Sequence, residues 1–281
     1  MNARRPPVFC DLALAGRIER AEADLVARAS RAAWRLGEPP GFVISVAGGV
    51  ASFAAEGSPF NKVAGLGFGG LPSAAALEEI EEAFAARDSP VQVELAHLGD
   101  PEIGNILTER GYRLTGFENV LGAGLGGEPE RITPSGIEVR PSGDDEFEAW
   151  LRVITEGFAH PDTQGVPAHE EFPSEVIERA ERGAAAADTR RYIALRDGQL
   201  AGAASLRLAD GVAQLTGAAT VPAHRRRGVQ SALLSARLAD AAAAGCDIAV
   251  ITTQPGSVSQ QNAQRQGFDL LYTRAILVKH P

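Results

Sequence analysis

A predicted strand, a basic loop and a helix follow one another directly in the second half of the sequence, and this segment constrains the fold most. An apolar and β-branched run, Val212 to Val221, leads into the loop Arg225-Arg226-Arg227-Gly228. The helical stretch from Gln230 to Ala244 contains no Gly or Pro, and Gly245 stands where a helix C-cap is expected. The first N–H groups of a helix lack intrahelical partners and bind anions, while glycine lets the backbone approach a ligand closely. The segment therefore predicts a site for a diphosphate.

The spacing within this loop narrows the kind of phosphate site. The P-loop spacing G-x-x-x-x-G-K-[ST] and its lysine are absent here. The loop instead has Arg225, Gly228 and Gln230 in the pattern R-x-x-G-x-Q. This pattern resembles the coenzyme A loop, Q/R-x-x-G-x-G/A, of the GCN5-related N-acetyltransferase (GNAT) superfamily, in which Gly or Ala is usual where this chain has Gln230. The alternative is an exposed basic turn that only caps a helix.

The resemblance covers about Ile137 to Lys279, where the predicted elements follow the order of that family: β, α, α, β, β, β, loop, α, β, α, β. It implies an α/β (α+β) fold with a mixed central sheet flanked by helices. In this fold the strand before the loop, Val212–Val221, and the strand after its helix, Asp247–Thr252, splay apart around acetyl-CoA. The closing Gly-Phe pair of the family is matched by Gly267-Phe268.

The resemblance also implies which residues hold acetyl-CoA. Backbone groups of Ala219 and Val221 would pair with the pantetheine arm like a short strand, and Asn262 would lie against the coenzyme, as in one subgroup of the family. A solvated helix position is the alternative for Asn262. The expected coenzyme-binding residues are Ala219, Thr220, Val221, Arg225, Arg226, Arg227, Gly228, Val229, Gln230, Ser231 and Asn262.

The two halves of the chain end alike, which indicates an internal repeat. The segment Glu109–Leu114 resembles Arg265–Leu270, and their glycines, Gly111 and Gly267, are 156 residues apart. One offset that aligns several elements predicts a duplicated fold. The same offset also aligns the predicted strand Val91–Leu95 with Asp247–Ile251, and Leu77 with Leu233.

The repeat predicts two tandem acyl-CoA N-acyltransferase (GNAT) folds. A degenerate first copy is expected at residues 1–125, a Gly- and Pro-rich linker at 126–136, and the acetyltransferase copy at 137–281. The first copy has Gly69-Gly70-Leu71-Pro72 where the second has Arg225 to Gly228. It therefore lacks the arginines of the predicted anion site, and we expect it to support or shape the second copy.

A second glycine motif in the first half allows another interpretation. Gly65, Gly67 and Gly70 satisfy G-x-G-x-x-G after the predicted strand Lys62–Phe68, and Glu94 ends the next strand. This pattern resembles a dinucleotide-binding fingerprint. However, a whole helix and a hairpin come before it, and Leu71-Pro72 delays the following helix. A structural loop between strand and helix is therefore favoured.

The residues that often carry catalysis in the family are missing. A tyrosine is common four residues before the Gly-Phe pair, where this chain has Ala263, and a glutamate is common on the strand that here offers Gln214 and Thr216. A lysine-like amine is neutral in only about one molecule in 2,500 at pH 7, so a proton acceptor would contribute roughly a hundredfold or more. Candidates near the predicted loop Ala159–Phe172 are Glu156, His160, Asp162, His169, Glu170 and Glu171. Each also fits a solvated loop residue, so no catalytic residue is assigned.

Composition limits the partners and the compartment. The 281 residues carry a net charge of −9, which argues against nucleic acid and against an anionic membrane surface. Cys10 and Cys246 are the only cysteines, which favours a reduced cytoplasmic setting and no metal cluster. Neither a signal-peptide pattern nor a membrane-spanning stretch is found in the sequence.

Together these observations predict a cytoplasmic N-acetyltransferase that moves acetyl from acetyl-CoA to a small-molecule or peptide amine, without a metal. A non-catalytic acyl-CoA-binding or sensor module is the main alternative, and a dinucleotide-binding protein is the second. The acceptor, the length of the acyl chain and the oligomeric state stay open.

Overall fold

The computed structural model describes residues 7–126, 131, 133–160, 166 and 172–281. Short 3₁₀ turns occupy Asp144–Glu146 and Pro222–His224. The helices are α1 (Leu12–Arg35), α2 (Ala74–Ala85), α3 (Glu102–Glu109), α4 (Phe147–Ala159), α5 (Ser174–Ala185), α6 (Val229–Ala243) and α7 (Val258–Arg265). The strands are β1 (Phe42–Val46), β2 (Gly49–Phe53), β3 (Lys62–Ala64), β4 (Val91–Ala96), β5 (Arg113–Gly124), β6 (Ile137–Pro141), β7 (Thr189–Arg196), β8 (Gln199–Ala209), β9 (Val212–Gln214), β10 (Ala218–Thr220), β11 (Ile248–Thr253) and β12 (Asp269–Lys279).

All twelve described strands belong to one mixed sheet that runs through both halves of the chain. The order is β1-β2-β3-β4-β12-β5-β11-β9-β8-β7-β6, and β10 pairs with β8 beside this path. The pairs β3–β4 and β9–β11 are parallel, and the others are antiparallel. Helices flank the sheet, so the expected α/β fold with a mixed central sheet is confirmed.

The two halves exchange their last strands. The final strand of the chain, β12, lies between β4 and β5 of the first half, and β5 lies between β12 and β11. Glu118 and Arg274, which are 156 residues apart, stand directly opposite each other in this central pair. Each copy therefore completes its sheet with a strand of the other. The boundaries 1–125, 126–136 and 137–281 stay a prediction about the sequence, because neither copy has a complete sheet of its own.

The repeat is visible in the positions of the elements. Helix α3 begins and ends 156 residues before α7, and β3 begins and ends 156 residues before β10. Tyr112 and Phe268, which follow the paired glycines, are both buried. The same fold unit therefore occurs twice.

The helices lie on opposite faces of the sheet in the second half. Trp150 and Ile154 of α4 pack on Ile193 and Ala203 on one face. Alternate strand residues, such as Tyr192 and Ala204, pack on the other face against Leu233 and other residues of α6. Helix α1 lies on the α4 side, where Gly183 of α5 approaches the carbonyl of Ala29 closely. The first copy therefore supports the helical wall of the second.

The predicted strand Val212–Val221 is two strands with a break between them. The break centres on Gly217, whose φ of +36° ends regular pairing. Arg237 of α6 stabilises the backbone at this break, because its Nη1 donates to the carbonyl oxygens of Ser205 and Thr216 at 2.9 and 3.4 Å. Burial lowers the pKa of Arg237 to about 10.

Other predicted boundaries also shift for local reasons. The strand predicted at Lys62–Phe68 ends at Ala64, because Gly65 has a positive φ of +75°. Asp100 is not the N-cap of α3: Pro101 is, and Asp100 Oδ1 accepts the N–H of Glu102 instead. The predicted turn at Asp197-Gly198 is present, with positive φ at both residues, as a two-residue hairpin requires.

The described residues lack a membrane-spanning helix and a cluster of metal-binding side chains. None of their helices is both long and apolar enough to cross a membrane. Nor do they contain a group of three or more His, Cys, Asp or Glu side chains placed to hold a metal ion.

Candidate functional site

The loop before α6 leaves the start of this helix without a side-chain cap. Arg226 and Gly228 both adopt left-handed backbone conformations, with φ of +59° and +84°. Gly228 is the N-cap residue, and no side-chain hydrogen bond caps this described helix. Backbone N–H groups that converge in such a loop form an anion-binding concavity, and the helix dipole adds to it.

The equivalent helix of the first copy is different. Ser73 is the N-cap of α2, and its Oγ accepts the N–H of Ala76 at 3.1 Å. One of the N–H groups that an anion would bind is therefore already used in the first copy.

The three arginines of the loop have different surroundings. Arg225 is half-buried, and its guanidinium donates to the carbonyl oxygens of His160 and, at 3.4 Å, of Thr220. It therefore ties the loop to the end of α4. Arg226 and Arg227 are exposed, and their charges surround the start of α6.

Polar side chains of α7 reach the first turn of α6. Asn262 Nδ2 donates to Gln230 Oε1 at 3.0 Å, and Gln266 Nε2 donates to Ser231 Oγ at 3.2 Å. The structure thus brings Gln230, Ser231 and Asn262 together beside the loop. Val229, also expected at the site, has a buried side chain and can contribute only its backbone.

A gap opens between two strands directly before the loop. Strand β9 pairs with β11 through Gln214, whereas β10 pairs with β8 and β11 continues to Thr253. The expected splay is therefore present. A strand edge that faces such a gap offers N–H and C=O groups to an extended ligand.

The pairing of β10 determines which of its backbone groups face the gap, and they are not the predicted ones. The N–H of Val221 donates to Ala201 O, and the carbonyl of Gly217 accepts the N–H of Ser205. Since the direction of backbone groups alternates along a strand, Ala219 also faces β8. The backbone groups of Ala219 and Val221 therefore do not point into the gap as expected; those of Ala218 and Thr220 do.

The two positions where the family often has catalytic residues have structural contacts in this chain. Ala263 is 3% exposed and packs in the core that contains Phe268. Gln214 is buried, donates to Glu22 Oε2 at 3.1 Å and accepts from Arg207 at 2.6 Å. Neither position supplies an acid or a base.

The candidate bases of the loop after α4 are partly placed. Glu156 and His160 are exposed at the end of α4, where His160 Nδ1 lies 3.0 Å from the carbonyl oxygen of Glu156. Both line a groove of about 450 Å³ between α4 and α5, together with Glu148 and Glu178. Asp162, His169, Glu170 and Glu171 lie outside the described residues.

Sequence reasoning missed one carboxylate, Glu181 of α5. Both of its carboxylate oxygens lie 3.3 Å from the point that a Cβ on Gly217 would occupy, so this side chain reaches the strand break. Burial raises the pKa of Glu181 to about 7. One sequence signal could have found it: Glu181 follows Ile177 by four residues and precedes Ala184 by three, which places an acid among apolar positions of one helix face.

The glycine motif of the first copy packs against neighbouring backbone. A Cβ on Gly69 would stand 2.6 Å from Gly48, and one on Gly67 would stand 3.3 Å from Gly99. Glu94, the acidic residue of the strand that follows this motif, is buried and pairs with Lys62 and Arg274. This geometry favours a structural loop over a dinucleotide site.

Comparison with known proteins agrees with this geometry. Residues 150–268 match the model of the acetyltransferase (GNAT) family. No curated protein sequence matched the chain.

Solved structures of similar fold include several acetyltransferases. A GCN5-related N-acetyltransferase from Kribbella flavida is 20% identical with a TM-score of 0.64, covering 92% of this chain and 95% of its own. A tandem GNAT protein from the clavulanic acid biosynthesis pathway is 13% identical with a TM-score of 0.57, covering 98% and 97%. A GCN5-related N-acetyltransferase from Sphaerobacter thermophilus is 16% identical with a TM-score of 0.54, covering 73% and 67%. The likeness to these structures shows a shared fold, including the tandem arrangement.

Proposed function

We propose that this chain, whose residues 150–268 belong to the acetyltransferase (GNAT) family, transfers an acetyl group from acetyl-CoA to an amine by direct attack on the thioester. One observation carries the proposal: the uncapped N-terminus of α6 stands at the end of the gap between β10 and β11. The diphosphate of acetyl-CoA would bind at the helix N-terminus and its extended pantetheine arm in the gap, so the coenzyme needs the two features next to each other.

The residues present fit acetyl-CoA. The N–H groups of Val229 and Gln230 at the start of α6 would bind the diphosphate, and Arg226 and Arg227 would add positive charge. The edge of β10 that faces the gap would pair with the pantetheine arm. This assignment keeps the expected loop residues and moves the pairing edge to Ala218 and Thr220.

Backbone can also polarise the thioester. Ala218 is the first residue of β10 after the break, and its N–H faces the gap rather than β8. A donor fixed in this position would bind the oxyanion that develops on the thioester oxygen. Loss of one such donor typically lowers kcat by about 10²–10³-fold.

The acceptor side favours a cationic amine. The groove between α4 and α5 is lined by Glu148, Glu156, Glu178 and Arg152, and Arg182 pairs with Glu148 and Glu178. Three carboxylates against two guanidinium groups leave a small excess of negative charge. An ammonium group gains Coulomb energy beside such carboxylates. We place the acceptor, a small-molecule or peptide amine, along this groove, and we place the protein in the cytoplasm because Cys10 and Cys246 are both free thiols.

A non-catalytic acyl-CoA sensor remains the second candidate, because Ala263 is buried and offers no general acid. Release of CoA thiol from acetyl-CoA, measured with lysine, spermidine, tyramine and a short peptide, separates the two. We expect thiol release above hydrolysis with at least one amine. Acetyl-CoA binding without thiol release on any amine would favour the sensor, and absence of binding would overturn both.

The contact between Gln230 and Asn262 makes a more specific prediction. The side-chain amide of Asn262 donates to the amide oxygen of Gln230. This contact orients the amide nitrogen of Gln230 as a donor at the start of α6. A hydrogen bond from this nitrogen to a charged diphosphate contributes about 1.5–3 kcal/mol. Gln230→Ala should therefore weaken CoA binding by about tenfold or more in calorimetry and leave pantetheine binding unchanged. Tighter CoA binding would instead mean that Gln230 crowds the loop.

A further inference from the structure

Two polar side chains, those of Glu181 and Ser205, meet at the strand break on the face covered by α4 and α5, and we call the space between them the polar pocket. Its floor is Gly217, and its sides carry the Glu181 carboxylate and the Ser205 hydroxyl, within 3.3 and 3.5 Å of the point that a Cβ on Gly217 would occupy. Any other residue at 217 would place its Cβ against these groups. The absence of a side chain on Gly217 therefore keeps the space between Glu181 and Ser205.

Two features of this pocket indicate that it receives a polar ligand. Ser205 is 2% exposed, and its Oγ has no hydrogen-bond partner among the described residues. Polar atoms buried in this way are rare, and each requires an explanation such as a ligand or a catalytic role. Glu181 is half-buried, and its carboxylate lies at the strand break close to Ser205.

The pocket also lies where the proposed reaction would occur. Gly217 is followed directly by Ala218, whose N–H faces the gap proposed for the thioester. Glu181 reaches the break from α5, which forms one wall of the acidic groove, and it lies one turn after Glu178 on that helix. An amine that enters along the groove would thus meet Glu181 beside the thioester carbon.

We propose that Glu181 is the proton acceptor for the amine, and that Ser205 hydrogen-bonds the amine in this pocket. This role rests on the proposed acetyl transfer. It supplies a base in place of the usual strand position, where this chain has Gln214. The pKa of Glu181, raised by burial to about 7, suits a general base that works near neutral pH.

The proton and electron balance is as follows. The Glu181 carboxylate takes one proton from the ammonium group, and the freed lone pair of the nitrogen forms the new C–N bond. The C–S bond then breaks, and its electron pair leaves with the CoA thiolate. A second proton passes from the attacking nitrogen to this thiolate, and Glu181 returns its proton to solvent. One ammonium ion and one acetyl-CoA thus give one amide, one CoA thiol and one proton.

The charges around Glu181 are largely paired with each other. Arg182 of α5 pairs with Glu148 and Glu178, and Arg207 of β8 pairs with Asp24 of α1. Burial is the cause of the raised pKa, without a contribution from a charged neighbour. Other charged groups on the elements of this face include Arg152 and Glu156 of α4, Glu175 and Arg179 of α5, and Glu22 and Arg28 of α1.

Glu181→Gln tests the proposal with Glu175→Gln as its matched control, since Glu175 is exposed on the same helix. The probes are the fastest alkyl amine of the panel above and hydrazine, whose neutral fraction near pH 7 is far larger than that of an alkyl amine, so that its attack depends much less on a base. With the alkyl amine, E181Q should lower kcat by about a hundredfold or more. It should also remove the limb of the pH–rate profile near pH 7. The loss with hydrazine should be much smaller, and the affinity for acetyl-CoA and the rates of E175Q should match the unaltered protein.

Three results would overturn the role of Glu181 alone. They are an unchanged rate and pH profile in E181Q, equal losses with hydrazine and the alkyl amine, or a loss of acetyl-CoA affinity. Thiol release by the unaltered protein on no amine would instead overturn the proposed function, and the role of Glu181 with it.

Thermal unfolding gives a readout of Glu181 that needs no acceptor. A carboxyl whose pKa is raised from 4.5 to about 7 on folding makes the fold less stable as the pH rises through this interval. E181Q should therefore raise the Tm above about pH 7 and leave it nearly unchanged below about pH 4.5. An equal effect at both pH values would contradict the buried carboxylate.

Discussion

Replacement of Gly228 by valine is expected to weaken acetyl-CoA binding by about a hundredfold or more. Gly228 has a φ of +84°, and a Cβ there would stand 3.3 Å from Pro134. A β-branched residue cannot keep this conformation without strain, so the N–H groups at the start of α6 would turn away from the diphosphate. Loss of two hydrogen bonds to a charged group, at about 1.5–3 kcal/mol each, accounts for this change. Calorimetry with acetyl-CoA measures it.

Gly245→Val is the matched control. Gly245 follows the other end of α6, has a φ of +83° and has open space around the position of a Cβ. Both substitutions force a left-handed conformation on valine, which costs about 1–2 kcal/mol, so both should lower the free energy of unfolding. Only G228V should lose acetyl-CoA. Equal affinities in the two variants would show that the loop does not hold the diphosphate.

Arg274→Met is expected to lower the free energy of unfolding by about 3–5 kcal/mol, because it leaves buried carboxylates without their cation. Arg274 is 1% exposed on the exchanged strand β12, and its Nε donates to Glu19 at 2.8 Å. Its Nη1 lies 3.6 Å from carboxylate oxygens of both Glu94 and Glu118. This residue therefore joins α1, β4 and β5, and chemical denaturation should show the loss.

The effect of Arg274→Met should depend on pH. Burial raises the pKa of Glu118 to about 7 and also raises the pKa of Glu19. Such groups bind protons more tightly in the folded state, so stability falls as the pH rises from about 4.5 towards 7. Without the guanidinium this fall should be steeper, and R274M should lose more stability at pH 8 than at pH 5.

Lys279→Met is the control for this strand. Lys279 pairs with Glu81 at 2.8 Å, but both side chains are partly exposed. Exposed pairs contribute about 0–1 kcal/mol, so K279M should change stability little at either pH. Equal losses in R274M and K279M would contradict a special role for the buried cluster.

Local patterns predicted most elements of this fold. The offset between Gly111 and Gly267 predicted a repeat whose members, α3 and α7, agree at both ends. The exchange of β5 and β12 could not be predicted, because local sequence identifies each strand but only long-range pairing decides which neighbours it takes.

The site was predicted where it depends on local sequence. The loop Arg225–Gly228 and its helix are adjacent in the chain, so spacing alone identified them. Glu181 was missed because it reaches Gly217 from a different helix, across 36 residues of sequence. The pairing edge was assigned to the wrong residues because the break at Gly217 sets which backbone groups of β10 face β8.

Amide hydrogen exchange with acetyl-CoA tests the central claim most directly, since it needs no acceptor and no variant. Acetyl-CoA at saturation should slow exchange in peptides that cover β10, the arginine loop and the start of α6, residues 218–231. Peptides over the glycine loop and the start of α2, residues 65–76, should be unchanged. Protection confined to residues 65–76, or no protection anywhere at saturating acetyl-CoA, would contradict the account.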